Sequence, residues 1–449
     1  MTNLLLKNFL RSKGLMLGLF LLFFVGLISL HIGKIYLNRQ ANTVVQTAEF
    51  QKENLERHLQ HIDGEIGLLL YYIRFGLVNE THPLSGLAIG HRDIHPSVQS
   101  VNIRNLEEQK YTSELVNPFY QLLGNMDFSF VLIYLFPLII IAFCFNILSE
   151  EQEDGTWILV LSQSSHPLQV IRTKLWIRMA SVLITFFTLL LIGKLYLQIP
   201  LDASFLGFAL SASLYLLFWF SLAWLVISLQ KSSQQNAMLL LFTWVALTII
   251  VPASVNALVL NLYPVPEAYS TIIDSRDGYH NKWDQAKEPT LQKFKEHYPQ
   301  FAKYEHPEGK SFGWFWYFAM QQMGDDEAAA ATKTMKTKLH QRDQFSQIIG
   351  YLFPSIHTQF TLNSLSRSDL KNYLHFLNHL EAFHEEKRLY FYPKIFERQA
   401  IDAENWEKFG LAYFEDERTF SWFSGLLPLA LWSGLLLLWA RIRWSAAIG

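Results

Sequence analysis

The sequence predicts an all-α integral membrane protein with six transmembrane helices, and two observations carry that prediction. Hydrophobic residues make up 51% of the 449 residues, and aromatic residues make up 15%. Six separate apolar runs each reach the roughly 20 residues that a helix needs to cross a bilayer. They lie at residues 14–33, 128–148, 179–198, 204–229, 236–262 and 421–440.

Most of the polar residues fall into two long insertions between these runs. The first insertion covers residues 34–126, and the second covers residues 263–420. In residues 48–62 and 369–390, apolar side chains recur at helical spacing with charged residues between them, which predicts mostly helical structure. Because each insertion starts and ends at a membrane helix, we expect the two to pack together as one domain, called the insertion domain below.

The basic residues of the short segments predict the orientation. They fall on one side of the membrane if both chain termini are cytoplasmic, as the positive-inside rule requires. Residues 1–33 then form an interfacial helix and the first span, residues 127–262 form spans two to five, and residues 421–449 form the sixth span and a cytoplasmic C-terminus. The insertion domain is extracytoplasmic. The basic residues are Lys7, Arg11, Lys13, Arg172, Lys174, Arg178, Lys231, Arg441 and Arg443.

The charge distribution and the cysteine content limit the functional classes to which the chain can belong. The net charge of −2 gives no indication of a nucleic-acid partner. The single cysteine, Cys144, lies in an apolar run and cannot form a disulfide within the chain. The middles of the six runs hold neither acidic nor basic residues. Ion-coupled transporters usually keep an ionisable group at that depth, so the sequence argues against secondary transport.

Three prolines, Pro137, Pro252 and Pro428, lie well inside predicted spans. A proline removes one backbone hydrogen bond from a helix and commonly kinks it. The prolines therefore mark either static kinks or hinges that open a cavity, and the sequence leaves both interpretations open.

The second insertion contains three stretches that could suggest chemistry. Gly-Lys-Ser at 309–311 resembles the end of a phosphate-binding loop, but Tyr304 stands where that loop has its first glycine, so we predict no nucleotide hydrolysis by this chain. His375 and His379 share one helix face and are weak candidates for a metal site; solvated histidines are the commoner outcome, and we predict no bound metal. The aromatic stretch 311–320 is predicted to form the core of the insertion domain.

An acidic segment follows the second apolar run. It contains four carboxylates, which cannot enter lipid and therefore end the span, at Glu150, Glu151, Glu153 and Asp154. Gly155 permits a sharp turn, and Thr156 is a favourable N-cap for a short apolar helix that includes Trp157 and Leu159. Ser164 or Ser165 can cap the next helix, which has Pro167 in its first turn. Residues 149–178, called the elbow below, therefore form a helical connection beneath the membrane.

The elbow resembles the ABC-2 class of ABC transporter permeases. Glu151, Gly155, Thr156 and Lys174 match the Glu-x-x-x-Gly-Thr pattern and the later lysine of that class, whereas Ser164 stands where the class usually has a proline. Residues 117–143 and 353–383 further resemble bacterial ABC-2-type permeases that carry a large extracytoplasmic insertion of unknown function.

The resemblance implies a subunit of an exporter in the bacterial inner membrane, with a periplasmic insertion domain. Two permease chains, identical or paralogous, would contact membrane lipid and each other. Separate ATP-binding subunits, which hold ATP and Mg²⁺, would dock on the elbow with help from the N-terminal helix. The chain itself would be neither an enzyme nor a cofactor carrier.

Two other functions stay open. One is an ATP-driven mechanotransmitter that acts on a periplasmic partner without moving a substrate. The other is an enzyme with a histidine-based metal site in the insertion domain.

Overall fold

The computed structural model describes residues 2–110, 125–163, 166–267, 280–306 and 312–448, together with residues 273, 276 and 277. Within these residues, six helices are long and apolar enough to cross a membrane. They are numbered here as membrane helices one to six: Lys13–His61, Phe128–Glu153, Pro167–Tyr196, Ala203–Ser228, Ser233–Leu262 and Trp422–Ser445. The mostly helical class is confirmed, and the number of helices able to span a membrane agrees with the prediction.

The elements follow one another along the chain in three groups. The first group is α1 (Thr2–Arg11), α2 (Lys13–His61), α3 (Ile66–Tyr72), β1 (Phe75–Asn79), β2 (Val98–Val101) and α4 (Glu107–Lys110). The second is α5 (Phe128–Phe130), α6 (Phe136–Cys144), α7 (Ser149–Glu153), α8 (Thr156–Gln163), α9 (Pro167–Tyr196), α10 (Ala203–Ser228), α11 (Ser233–Val245) and α12 (Val251–Leu262). The third is α13 (Glu288–His297), α14 (Trp314–Gly350), α15 (Pro354–Leu365), α16 (Leu370–Phe396), β3 (Ala412–Phe414) and α17 (Trp422–Ile448).

Membrane helix one extends far beyond the apolar run at 14–33. The helix α2 has 49 residues because residues 34–61 lack glycine and proline and are rich in good helix formers. Near its far end, Gln51 accepts a hydrogen bond from the Gly76 N–H and donates one to the Phe409 carbonyl, both at 2.8 Å. The boundary predicted at residue 33 is therefore not a break in the helix, and α2 belongs both to the membrane bundle and to the insertion domain.

Membrane helices two and four form the centre of the bundle. Most of their apolar stretch is buried, at 61% and 72%, whereas only 11% of that of helix five is buried. Their contacts are dominated by large side chains such as Phe136, Tyr215 and Trp219, all with 0% exposure. Helix five therefore presents most of its surface to the surroundings of the chain.

Two of the three prolines directly follow π-helical turns. The segments Val131–Leu135 and Ala246–Ile250 precede Pro137 and Pro252, and the wider turn accommodates a residue that lacks an N–H. Pro428 lies inside α17.

Side chains from neighbouring helices donate hydrogen bonds to two backbone carbonyl groups just before Pro137. The Ile133 carbonyl, four residues before Pro137, accepts the Tyr215 hydroxyl at 3.0 Å. The next carbonyl, of Tyr134, accepts the Trp244 indole at 3.1 Å. Pro137 has no N–H to donate to the Ile133 carbonyl, so the Tyr215 hydroxyl takes the place of that bond, and helices four and five are thereby attached to helix two at its π-helical segment.

The insertion domain has a hydrophobic core to which both insertions contribute. Ile66, Leu69 and Phe75 from the first insertion pack in one cluster with Phe294 and Tyr392 from the second. The aromatic stretch that begins α14 is also part of this cluster, because residues 315–320 are all buried. The prediction that this stretch forms core is confirmed for residues 315–320, whereas Phe312 is 42% exposed.

A small sheet also joins the two insertions, and the all-α prediction omitted it. Its strand order is β2-β1-β3, with β1 antiparallel to β2 and parallel to β3; Leu77 lies opposite Gln99 on one side and Ala412 on the other. All five residues of β1 are buried, so the strand lacks the apolar–polar alternation that identifies a strand in a sequence.

Candidate functional site

The elbow is built from two short helices between membrane helices two and three. The acidic residues lie in α7 or directly after it, and Gly155 then separates α7 from α8 with a φ of 74°. That left-handed conformation favours glycine. A Cβ placed on Gly155 would have no atom within 4 Å, so the requirement for glycine is conformational and not steric.

Glu151 connects both limbs of the elbow. Its carboxylate forms an ion pair with Lys174 on α9 and accepts a hydrogen bond from the Thr156 hydroxyl. The pair is largely sheltered, since the Lys174 and Glu151 side chains are 17% and 23% exposed. Partial shelter strengthens the attraction between the two charges and also costs them hydration, so removal of one partner would leave the other charge poorly compensated. Three of the four residues that match the ABC-2 pattern therefore meet at one point.

Thr156 was predicted to cap α8. In the structure it is the first residue of α8, and its hydroxyl donates to Glu151. As predicted, a helix begins with Pro167 in its first turn, and it continues without a break through the apolar run at 179–198, so Lys174 and Arg178 lie on membrane helix three. Ser164 and Ser165 lie outside the described residues.

The acidic limb of the elbow is attached to membrane helix five as well. Glu153 accepts hydrogen bonds from the Ser233 N–H at 2.8 Å and from the Ser233 hydroxyl at 3.0 Å. The Ser149 and Ser233 hydroxyl oxygens are 2.7 Å apart. Glu150 accepts from the Asn146 amide at 2.9 Å. The four carboxylates therefore do more than end a span, because two of them hold the elbow to other helices.

The sequence analysis missed Ser233 and its neighbour Asn236, which donates to the Phe145 carbonyl at 3.1 Å. A usable signal was present. Ser232 caps α11 by accepting from the Gln235 N–H, and the positive-inside rule puts this cap on the same side as the elbow. A serine-rich cap facing an acidic turn could have predicted the contact.

The short helix α8 presents an apolar surface. Ile158, Leu159 and Leu161 are 71%, 58% and 51% exposed. Trp157 is half-buried and packs against the bundle core. Contiguous exposed apolar residues of this kind are typical of surfaces that contact a partner protein or a membrane.

The N-terminal helix lies beside the elbow. On α1, Phe9 is buried, with its ring edge-on to that of Phe143 at 6.2 Å, whereas Leu4 and Leu10 are exposed. A cavity of about 650 Å³ separates α1 from the elbow. The elbow side of this cavity is lined by Glu150, Glu151, Asp154, Thr156 and Lys174.

The C-terminal end of membrane helix six lies at the same end of the bundle. The Trp444 ring is 5.3 Å from that of Trp224, close to the end of α10. The elbow, α1 and the end of α17 therefore share one end of the bundle, and the insertion domain occupies the other.

The two candidate metal-binding histidines have other neighbours. Nδ1 of His375 is 4.0 Å from a carboxylate oxygen of Asp416, and the His379 ring lies 5.1 Å from that of Phe414. Among the residues that the structure describes, no group of three histidine, cysteine or acidic side chains could hold a metal ion. Residues 309–311, which resemble part of a phosphate-binding loop, lie outside the described ranges, as do residues 117–124 of the first segment that resembles the permeases.

Comparison with known proteins yields one match. The model of a family described as a domain of unknown function (DUF3526) matches residues 268–410, which lie in the second insertion. No curated protein and no solved structure matches the chain. The match concerns the insertion domain alone and does not extend to the elbow.

Proposed function

We propose that this chain is the membrane subunit of an ATP-driven transporter of the ABC-2 permease type, acting in export with a separate ATP-binding subunit. The proposal rests mainly on the contacts of Glu151, which pairs with Lys174 and accepts a hydrogen bond from Thr156. The ion pair joins two membrane helices, and the hydrogen bond attaches the exposed apolar helix α8 to it. A partner that grips α8 can therefore move those helices.

A push on α8 would reach three of the six membrane helices. Glu151 and Lys174 transmit it to helices two and three, and Glu153 with Ser233 transmits it to helix five. The ATP-binding subunit would supply ATP and Mg²⁺, and a second permease chain would supply the other half of the pathway.

A cavity near the other end of the bundle supports transport. It has a volume of about 220 Å³ and lies where helices two and five meet α15 of the insertion domain. Both kinked segments contribute to it, and its lining is partly polar. Residues that line it include Tyr134, Thr248, Pro252, Asn256, Ser355 and Gln359. Tilting helix five at its elbow end would change this cavity.

The alternative of mechanotransmission also has a specific observation in its favour. The uninterrupted helix α2 runs from the elbow end into the insertion domain, where Gln51 holds it to Gly76 and Phe409. Movement of the bundle could therefore move the insertion domain directly, without a substrate crossing the membrane.

The first test concerns the partner. Purification of the full chain in mild detergent should recover an ATP-binding protein, and Leu159→Asp should lower that recovery about tenfold or more, as expected for the loss of a central apolar contact. Leu389→Asp, at an exposed leucine of the insertion domain, is the matched control. Recovery of the wild-type chain without an ATP-binding protein, or equal loss in both variants, would contradict the proposal.

The second test concerns coupling. Glu151→Lys and Lys174→Glu should each remove the effect of the permease on the ATPase rate of the reconstituted complex, and the double exchange should restore part of it. Gly155→Ala should act in the same direction, since alanine disfavours a φ of 74°. Membrane insertion should be normal in all four. Unchanged coupling in the single variants would show that the elbow is not the transmission element.

The third test separates transport from mechanotransmission. Asn256→Trp should fill the 220 Å³ cavity. If the chain exports a substrate, untargeted mass spectrometry of cells and medium should show the substrate retained in cells, while ATP hydrolysis continues. An unaltered distribution of all solutes, with the cellular phenotype preserved, would favour mechanotransmission.

A further inference from the structure

Another cavity lies where the insertion domain meets membrane helix six. Its volume is about 540 Å³, and it is enclosed by the end of α14, by α15 and by residues 417–425. The Phe420 ring forms part of its wall at the level of the bundle. A Cβ on Gly207 would lie 3.0 Å from that ring, and one on Gly425 only 2.4 Å, so the ring packs tightly on helices four and six. The cavity therefore lies at the end of the membrane-crossing helices.

The start of helix six indicates that this cavity faces a membrane surface. Trp422 and Phe423 are 42% and 75% exposed directly after the cavity wall. Tryptophan is enriched where a membrane helix passes through the lipid headgroup region. The cavity is therefore at headgroup level, on the side of the insertion domain.

Arg367 is the principal cation of the cavity. Its backbone has a φ of 54°, unusual for a residue with a side chain, and its guanidinium donates to the carbonyl oxygens of Asp416 and Arg418. The two carbonyl groups orient the guanidinium, and the nearby carboxylates of Asp416 and Asp369 offset part of its positive charge. A cation that is held in place in this way suits a phosphate group, which guanidinium recognises with charge-assisted hydrogen bonds.

Other charges in the wall add to the pattern. Lys371 and Arg418 also line the cavity, and each has carboxylate partners: Lys371 lies 3.5 Å from Asp343, and Arg418 pairs with Asp369 at 2.7 Å. Glu417, which carries the opposite charge, also lines the cavity, and its side chain is exposed. The same wall therefore contains cations that suit a phosphate and a carboxylate that suits an amine.

The remaining wall is apolar. Phe360, Leu365 and Phe420 line it beside the charged groups. Hydrophobic walls with a few convergent polar groups are typical of ligand pockets. An amphiphile that carries a phosphate next to an amine would satisfy all three parts of the wall.

We propose that this cavity binds the phosphoethanolamine headgroup of a membrane phospholipid, with the phosphate at Arg367 and Lys371 and the amine at Glu417. The proposal is independent of the ATP-driven motor, since it uses none of the elbow residues. Soluble phosphoethanolamine shares the same chemistry, and the experiment below distinguishes the two sources.

The test uses native mass spectrometry of the full-length, delipidated chain in detergent. The probes are phosphatidylethanolamine, phosphatidylglycerol, free phosphoethanolamine and inorganic phosphate. The wild-type chain should retain phosphatidylethanolamine in preference to phosphatidylglycerol and bind the two soluble probes far more weakly. Equal retention of free phosphoethanolamine and of the lipid would overturn the assignment to a membrane lipid.

Three variants test which residues bind the phosphate and which binds the amine. Arg367→Gln should lower the retention of both phospholipids about tenfold, as expected for the loss of a charge-assisted bond to phosphate. Lys371→Gln should lower both in the same direction, which keeps the test valid if Arg367→Gln disturbs the fold. Glu417→Gln should lower only the preference for phosphatidylethanolamine, by about two- to fivefold, because an exposed ion pair is weak.

The matched control is Arg57→Gln, at an exposed arginine on α2, which should leave retention unchanged. The proposal is overturned if Glu417→Gln leaves the preference between the two lipids unaltered, or if Lys371→Gln and Arg367→Gln bind lipid as the control does.

Discussion

The insertion domain and the elbow are stabilised in different ways. The insertion domain has its own aromatic core and buried ion pairs, such as that between Arg388 and Asp325 at 2.6 Å. In the elbow, by contrast, every residue of α8 is exposed or half-buried. The insertion domain can therefore keep its structure through its own contacts, whereas the apolar side chains of α8 are left largely uncovered by the described part of the chain. Substitutions in the two regions should differ accordingly.

The largest loss of stability is expected at the centre of the insertion domain. Phe294 has 0% exposure, and several aromatic rings surround it. Phe294→Ala should lower the free energy of unfolding by about 3–5 kcal/mol, because it removes buried surface and leaves a cavity. Limited proteolysis of the full chain in detergent should then show faster cleavage in the insertion domain. Cleavage at the wild-type rate would contradict the view that this core stabilises the domain.

A smaller loss is expected where the bundle meets the insertion domain. Tyr215 donates to the Ile133 carbonyl, and its hydroxyl oxygen lies 3.2 Å from that of Ser355 on α15. Tyr215→Phe leaves that buried carbonyl without the hydroxyl and should cost about 1–3 kcal/mol, measured by thermal unfolding. Tyr196→Phe is the control, because its ring is 43% exposed. Equal melting temperatures for the two variants would show that the Tyr215 hydroxyl contributes no measurable stability.

A pH-dependent contribution is expected from Glu404 in the insertion domain. Burial alone would raise its pKa, but hydrogen bonds from Lys394, Lys408 and Tyr390 outweigh that effect and lower the pKa to about 2. The carboxylate therefore stabilises the fold above the unfolded pKa of 4.5, and this contribution disappears as the pH falls from there towards 2.

Glu404→Gln should accordingly lower stability at pH 7 by about 1 kcal/mol, a value reduced for solvent screening. The difference between variant and wild type should shrink steadily in unfolding experiments from pH 5 to pH 3. A difference that stays constant over this range would show that the carboxylate charge contributes nothing.

The smallest effect on stability is expected at Leu159 on α8. Because the side chain is 58% exposed, Leu159→Asp should change the stability of the isolated chain by no more than about 0.5 kcal/mol. The same variant should lose the ATP-binding partner. A large fall in melting temperature without any partner present would mean that α8 is part of the bundle core, and the contrast between the two regions would disappear.

The sequence predicted features that depend on local composition better than features that depend on contacts. Lipid-length apolar runs identified all six membrane helices, since an apolar helix of that length is recognisable by itself. The ends of the helices were less predictable: α2 continues to His61 through polar residues that favour a helix just as well. Composition shows where the apolar part of a helix ends, but the helix itself continues for as long as the following residues favour helical structure.

In the elbow, the identities of the important residues were predictable, but their partners were not. Glu151, Thr156 and Lys174 follow from the residue pattern, yet their meeting at one carboxylate depends on how helices two and three pack. Ser233 is distant in sequence and was missed for the same reason. The π-helical turns before Pro137 and Pro252 likewise depend on neighbouring helices, and β3 pairs with a strand from the other insertion.

The length of α2 has a mechanical consequence. At 1.5 Å per residue, its 49 residues extend about 70 Å, more than twice the thickness of the hydrocarbon layer. A stiff rod of that length pivoting near its base moves its tip by about 1 Å for every degree of tilt. A rotation of a few degrees at the end of α2 next to α1 would thus displace the central strand of the sheet around Gly76 by several ångströms, a distance comparable to the rise of one helical turn.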